Sequence, residues 1–184
     1  DLVSIKKVKK YTGYKRNYAI SKIKMEKEFR SISQKGYKVS IARLFSFIGK
    51  RILKNKDFAL TNIINQAKNK NNKMIKLNDS RNVYRGFMDT RDLMDWLFKI
   101  LMSSSKKCNT FNVGSDEAIT IENLAKLIGK KFKKTVFKEK RKNINYIDYY
   151  VPSITKAKKE LNLKINFKIK SSLNKLLVDI NKES

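Results

Sequence analysis

A tyrosine and a lysine four residues apart are the side chains of this sequence best suited to acid–base chemistry. On a helix, Tyr18 and Lys22 would emerge on the same face, about one turn from each other. A free phenol is almost wholly protonated at neutral pH, but a cation about 5 Å away, at an effective dielectric constant of about 20, favours the phenolate by roughly 3 kcal/mol. The pair therefore predicts a tyrosine general base, which needs a second positive charge nearby for full ionisation.

The spacing alone does not establish a catalytic pair. Tyr11 and Lys15 repeat it, and lysine is so frequent in this chain that chance pairs are expected. The alternative is a helix face that carries an ordinary phenol and a solvated amine.

The composition limits which other catalytic and metal-binding sites the chain can contain. The chain has 184 residues, with a single cysteine, Cys108, and no histidine. A disulfide, a Cys/His zinc site and a Ser–His or Cys–His catalytic pair are therefore excluded within the chain. Acid–base chemistry must come from Tyr, Lys, Asp or Glu, and no metal site is expected.

The chain has a formal net charge of +28. Such a strongly basic composition favours nucleic-acid binding, because lysines and arginines neutralise phosphates. Only 8 of the 44 basic residues are arginine, although arginine is preferred for bidentate contacts to bases and phosphates. The lysines are spread along the whole chain, which indicates a solvated surface shaped by composition bias. We therefore expect nonspecific attraction to polyanions and no specific nucleic-acid partner. A basic nucleic-acid-binding domain is the alternative.

Apolar periodicity predicts the elements that would position these residues. A helix over Tyr14 to Gln34, ended by Gly36, precedes a β-branched and aromatic run over Lys38 to Ile48 that is typical of a buried strand. A helix, a glycine turn and a buried strand in that order favour an α/β fold. Further helices are predicted over 58–68, 92–102, 120–130, 154–161 and 171–180, and further strands over 74–77, 83–88, 110–113 and 135–137. Thr120 is expected to cap its helix, with Leu124 and Ile128 on the apolar face.

The order of several short motifs resembles that of the extended short-chain dehydrogenases/reductases, the NAD-dependent epimerase/dehydratase family. Tyr18-Ala-Ile-Ser-Lys22, followed by Glu26, is similar to the family pattern Y-x-x-S-K-x-x-x-E. Within the family, the closest resemblance is to the branch like dTDP-glucose 4,6-dehydratase. Four further segments match family motifs in the same order, namely Ala42 to Gly49, Arg85 to Leu93, Thr110 to Ser115 and Lys156 to Leu161.

The resemblance implies roles for four residues. Tyr18 would deprotonate a sugar hydroxyl while NAD or NADP takes the hydride, and Lys22 would hold the nicotinamide ribose and assist the tyrosine. Arg85 would bind the diphosphate of a nucleotide sugar, which suits a planar guanidinium. Ser46 stands where many family members have an asparagine near the substrate. Asp92 is expected to be structural, as a helix cap.

The resemblance also implies an incomplete α/β fold. We expect the C-terminal part of a Rossmann-like parallel sheet with a small α/β substrate-binding lobe. Residues 1–52 would be the remnant of the NAD-binding domain, and 53–184 the substrate-binding lobe, interleaved with the last Rossmann elements. The family's G-x-x-G-x-x-G turn, which cradles the cofactor pyrophosphate, is absent from these residues. Cofactor binding is therefore expected to depend mainly on an N-terminal part, in the same reading frame or from a partner chain.

These expectations leave several alternatives open. The chain could be an inactive remnant, or a homodimer could cover the open edge of its sheet. The sugar, the nucleotide and the choice between epimerisation, dehydration and decarboxylation are not determined by these residues. No apolar stretch approaches the roughly 18 residues of a membrane span, so we expect no membrane partner and a cytoplasmic location.

Overall fold

The computed structural model describes residues 12–54, 58–78, 82–139 and 147–181. These residues form a mixed α/β fold in which most strand pairs are parallel, as the sequence predicts. The helices are α1 (Gly13–Gln34), α2 (Ala59–Lys68), α3 (Thr90–Met102), α4 (Ile121–Lys131), α5 (Thr155–Leu161) and α6 (Ile169–Asn181), with a short 3₁₀ helix over Lys50–Lys54. The strands are β1 (Ser40–Leu44), β2 (Ser46–Ile48), β3 (Met74–Leu77), β4 (Asn82–Asp89), β5 (Asn109–Val113), β6 (Ala118–Thr120), β7 (Thr135–Lys138) and β8 (Ile147–Tyr150).

The chain divides into two compact units, each assembled from three segments. The first unit comprises the chain up to Leu44 with Met94–Val113 and Ser153–Leu163. The second unit comprises Phe45–Leu93, Gly114–Pro152 and the chain from Lys164 onward.

In the first unit, strand β1 pairs with β5 in parallel, with Ile41 opposite Thr110. Helix α1 is held to this unit by side chains that reach β5 and the loop before it. Arg30 donates to the carbonyl of Cys108 at 3.2 Å and to Oγ1 of Thr110 at 2.7 Å, and Ser33 Oγ donates to the carbonyl of Lys106 at 2.8 Å. The long helix that carries the tyrosine–lysine pair is therefore positioned by polar contacts. The buried apolar residues of the unit are Ile41, Trp96, Ile100, Cys108, Phe111, Val113, Ile154, Ala157 and Leu163.

In the second unit, β4 is the central strand of a four-stranded sheet. It pairs in parallel with β2 and β8 and antiparallel with β6. A separate parallel pair joins β3 to β7. Helices α2, α4 and α6 contribute most of the apolar core, which contains Ile48, Leu60, Ile63, Ile64, Ala67, Ile75, Phe87, Leu124, Ala125, Ile128, Ile169, Leu173, Leu176, Leu177 and Ile180.

The predicted strand over Lys38 to Ile48 is two strands in the structure. Ser40–Leu44 pairs with β5, whereas Ser46–Ile48 pairs with β4, so the two pieces belong to different sheets. The residue between them, Phe45, packs its ring against that of Tyr150, with centroids 4.8 Å apart. Apolar content marks a run as buried but does not reveal where its hydrogen-bonding partner changes, which is why the break was not predicted.

Local signals at helix ends are more informative. Thr120 caps α4 as predicted, because its side-chain oxygen accepts a hydrogen bond from the backbone N–H of Asn123 at 3.0 Å. Among the described residues, none of the helices has the length and apolar character needed to cross a bilayer.

Candidate active-site residues

Helix α1 brings the two predicted catalytic side chains together. The ammonium nitrogen of Lys22 lies 5.4 Å from the centroid of the Tyr18 ring. The ring of Tyr14 stacks on that of Tyr18 with centroids 6.3 Å apart. The Tyr18 side chain is 54% exposed, so its hydroxyl is accessible to a ligand. Tyr11, which has the same spacing to Lys15, lies outside the described residues.

An ion pair links the same helix to the parallel strands of the first unit. Glu26, one turn after Lys22, accepts two hydrogen bonds from the Arg43 guanidinium, at 2.6 and 2.7 Å. Arg43 lies on β1. Because a bidentate pair fixes orientation as well as distance, it holds this part of α1 against the strand.

Arg85 lies on β4, the central strand of the second unit, and its guanidinium is held by strand β8. Its two terminal nitrogens contact the carboxylate oxygens of Asp148 at 3.3 and 3.1 Å. The guanidinium carbon also lies 5.5 Å from the centroid of the Tyr150 ring. The guanidinium is thus held between a carboxylate and an aromatic ring, which together fix its orientation.

Ser46 lies on β2, which pairs with β4, the strand that carries Arg85. Its partner across the sheet is Phe87 of β4, and Arg85 is two residues before Phe87. Residues two apart in a strand share a face, so the two predicted substrate-binding residues occupy the same face of neighbouring strands. Tyr18 and Lys22 belong to the first unit, and Arg85 and Ser46 to the second.

A glycine next to Arg85 permits a close backbone approach. A Cβ atom at Gly86 would lie 2.0 Å from the carbonyl oxygen of Ser115, a separation no side chain tolerates. Only glycine can therefore occupy this position of β4 without moving one of the two backbones.

Three acidic residues of the second unit have partners that were not predicted. Asp148 pairs with Arg85, as described above. Asp89 is buried and accepts two hydrogen bonds from the Arg91 guanidinium, at 2.9 and 2.8 Å. Burial would raise the pKa of Asp89, but the side-chain and backbone hydrogen bonds from Arg91 outweigh it and lower the pKa to about 2.

Asp92 is fully buried, but it lies in the first turn of α3 and not at its cap as predicted, and its partners are distant in sequence. Its carboxylate accepts hydrogen bonds from the backbone N–H groups of Asn166 and Phe167, at 3.1 and 3.0 Å, and from the Asn166 side chain at 2.9 Å. Within the described ranges, no group of three or more His, Cys, Asp or Glu side chains is arranged to hold a metal ion.

Several solved structures share this fold. RMD from Pseudomonas aeruginosa, complexed with NADPH, is 21% identical with a TM-score of 0.75, and the match covers 91% of this chain and 57% of that one. UDP-N-acetylglucosamine 4-epimerase from Bacillus cereus is 19% identical with a TM-score of 0.73, covering 89% and 53%. UDP-glucose 4-epimerase from Thermotoga maritima, with UDP-glucose, is 18% identical with a TM-score of 0.72, covering 90% and 53%.

The chain thus spans somewhat more than half the length of these three structures. No curated protein sequence matches it. The sequence model of the NAD dependent epimerase/dehydratase family matches residues 5–114, which is more than half of the 184 residues and includes Tyr18, Lys22, Ser46 and Arg85. The chain therefore belongs to the NAD dependent epimerase/dehydratase family.

Proposed function

We propose that this chain carries the tyrosine and lysine of an NAD(P)-dependent epimerase or dehydratase that acts on a nucleotide sugar. The observation that carries the proposal is the 5.4 Å separation between the Lys22 ammonium and the Tyr18 ring, in a chain that belongs to this family. Two of the fold relatives named above were solved with NADPH and with UDP-glucose, which supports the assignment of cofactor and substrate class.

In the proposed reaction, Tyr18 accepts the proton of a sugar hydroxyl. Lys22 would keep its ammonium beside the Tyr18 ring during this transfer. An oxidised nicotinamide bound beside this pair would supply the hydride acceptor, so that loss of the proton and the hydride would convert the alcohol to a ketone. The exposed Lys22 ammonium has three N–H donors, which fits contact with ribose hydroxyl oxygens.

We assign nucleotide-sugar binding to the second unit and the acid–base residues to the first. Arg85 would bind the diphosphate by charge-assisted hydrogen bonds, and Ser46 would contribute a hydroxyl on the same face of the sheet. We further propose that most cofactor contacts come from an N-terminal polypeptide outside these 184 residues, in the same reading frame or in a partner chain.

The test is turnover by this chain together with its N-terminal polypeptide, using UDP-, dTDP- and GDP-sugars with NAD and NADP. Tyr18→Phe should lower kcat by about 10²- to 10⁴-fold, the usual contribution of a general base. Tyr14→Phe is the matched control, because it removes a hydroxyl from the neighbouring, more exposed ring (82%) and should leave kcat unchanged.

Equal kcat values for Tyr18→Phe and the unsubstituted protein would overturn the role of Tyr18. Robust turnover by the 184 residues alone would overturn the proposal that an N-terminal polypeptide supplies most of the cofactor contacts. Folding of each variant can be checked by circular dichroism, since both tyrosines are exposed and their hydroxyls are not needed for packing.

A further inference from the structure

The guanidinium proposed to bind diphosphate is occupied by a carboxylate of the same chain. Nη2 of Arg85 donates to Oδ2 of Asp148 at 3.1 Å, and Nη1 lies 3.3 Å from Oδ1. Nη1 also donates to the carbonyl of Tyr84 at 2.7 Å, and Nε takes no part in these contacts. Asp148 therefore occupies the Nη1–Nη2 edge of the guanidinium, one of the two edges that a bidentate oxyanion can use.

Strand pairing fixes this carboxylate beside the arginine. Strand β8 runs parallel to β4, with Val83 opposite Asp148 and Arg85 opposite Tyr150. Asp148 thus reaches Arg85 diagonally across the pair, and the Tyr150 ring lies against the guanidinium. The Tyr149 ring packs against Tyr84 at 5.5 Å and strengthens the same register. The backbone therefore keeps the negative charge close to Arg85 even when the ion pair opens.

The pair is accessible enough to be opened by a ligand. The side chains of Arg85 and Asp148 are 24% and 29% exposed. The two hydrogen bonds between them, at 3.1 and 3.3 Å, are longer than those of a tight charge-assisted pair, so an incoming oxyanion can compete with the carboxylate. The affinity of a ligand that binds at this edge is lowered, because the ligand must displace the Asp148 carboxylate and then lies close to that negative charge.

We propose that Asp148 determines ligand specificity by competing with anions for Arg85. A free phosphate or diphosphate, held by the guanidinium alone, gains little over the carboxylate that it displaces. A nucleotide sugar makes further contacts through its nucleoside and sugar, and is retained. The inference rests on the proposed role of Arg85 in diphosphate binding.

The experiment measures inorganic diphosphate binding at Arg85 itself. The Nε–Hε resonance of Arg85 is followed by NMR in the isotope-labelled chain, since a chain of net charge +28 attracts diphosphate at other sites too. Salt of about 0.15 M, where the Debye length is about 8 Å, limits that background. Asp148→Asn should tighten diphosphate binding at Arg85 on the order of 3- to 10-fold.

Asp179→Asn is the matched control. It removes the same charge from an exposed ion pair with Lys175 in the same unit, and should change the affinity by less than about twofold. Asp148→Ser serves as a second variant if Asp148→Asn alters the fold. If Asp148→Asn and Asp179→Asn raised the diphosphate affinity equally, the effect would come from net charge alone, and the proposal would be overturned.

A double-variant comparison tests whether the gain acts through Arg85. Calorimetric titration of Arg85→Gln and Arg85→Gln/Asp148→Asn with diphosphate should show no gain from the second substitution. A gain in diphosphate affinity that persists without Arg85 would overturn the proposal. Weaker diphosphate binding by Asp148→Asn would also overturn it, by showing that Asp148 only orients the guanidinium. These experiments measure binding and not turnover, so a negative result for Asp148 can be distinguished from a negative result for Tyr18.

Discussion

The guanidinium of Arg43 and the carboxylate of Glu26 form two hydrogen bonds, at 2.6 and 2.7 Å, and both side chains are about four-fifths buried. This pair joins strand β1 to the helix that carries Tyr18 and Lys22. Two parallel hydrogen bonds need the planar fork of arginine, which the point charge of lysine cannot reproduce. The Arg43–Glu26 pair thus adds to the contacts of Arg30 and Ser33 in fixing the orientation of α1.

Arg43→Lys should therefore lower the free energy of unfolding by about 1 kcal/mol, because one of the two charge-assisted hydrogen bonds is lost while the charge is kept. Urea unfolding monitored by circular dichroism gives this value. Arg16→Lys, at an exposed position of the same helix, is the control and should have no measurable effect. Equal unfolding curves for the two variants would contradict a structural role for the bidentate pair.

The buried carboxylate of Asp89 should make stability depend on acid pH. Its pKa in the folded protein is about 2, below the ordinary value of 3.8, so the ionised form is stabilised by folding. The resulting contribution of about 2 kcal/mol is complete above pH 4 and is lost as the pH falls from about 4 to about 2.

Urea unfolding of Asp89→Asn across that pH range is the measurement. The variant should be about 2 kcal/mol less stable than the parent at pH 6, and the difference should shrink towards pH 2. Asp95→Asn, at an exposed position, serves as the control for loss of a carboxylate. A difference that stays constant with pH would show that Asp89 stabilises the fold by packing and not by charge.

The Asp92 carboxylate should be among the most sensitive polar groups of the second unit. Asp92→Ala removes the acceptor of the backbone N–H groups of Asn166 and Phe167, and should lower the free energy of unfolding by about 2–3 kcal/mol. Asn166→Ala removes only the side-chain donor to the same carboxylate and should cost about 1 kcal/mol. Similar losses in the two variants, measured by urea unfolding at neutral pH, would contradict the anchoring role of the carboxylate.

Local features of the fold could be predicted from the sequence because their causes are local. The apolar period of 3.6 residues and Gly36 predicted helix α1, and the hydroxyl of Thr120 predicted the start of α4. Leu124 and Ile128, predicted on one face of that helix, are fully buried. The four-residue spacing likewise anticipated the proximity of Tyr18 and Lys22, since helix geometry alone produces it.

Features that join distant segments were missed. Asp148 and Arg85 are 63 positions apart, and Asp92 and Asn166 are 74 apart. Neither pair leaves a periodic signal, because each depends on which strands or loops meet in the folded chain. The short strands β6 and β8 were also missed, because each is defined by its pairing with the distant strand β4.

The single residue between β1 and β2 limits how this stretch of chain can vary. Adding or deleting one residue at Phe45 would shift one strand by one position and turn its side chains to the opposite face. Depending on which strand shifted, Ile41 or Ile48, which are 8% and 1% exposed, would point into water. A substitution in this stretch leaves the register of both strands unchanged, whereas any change in the number of residues from Ser40 to Ile48, which is nine, alters it.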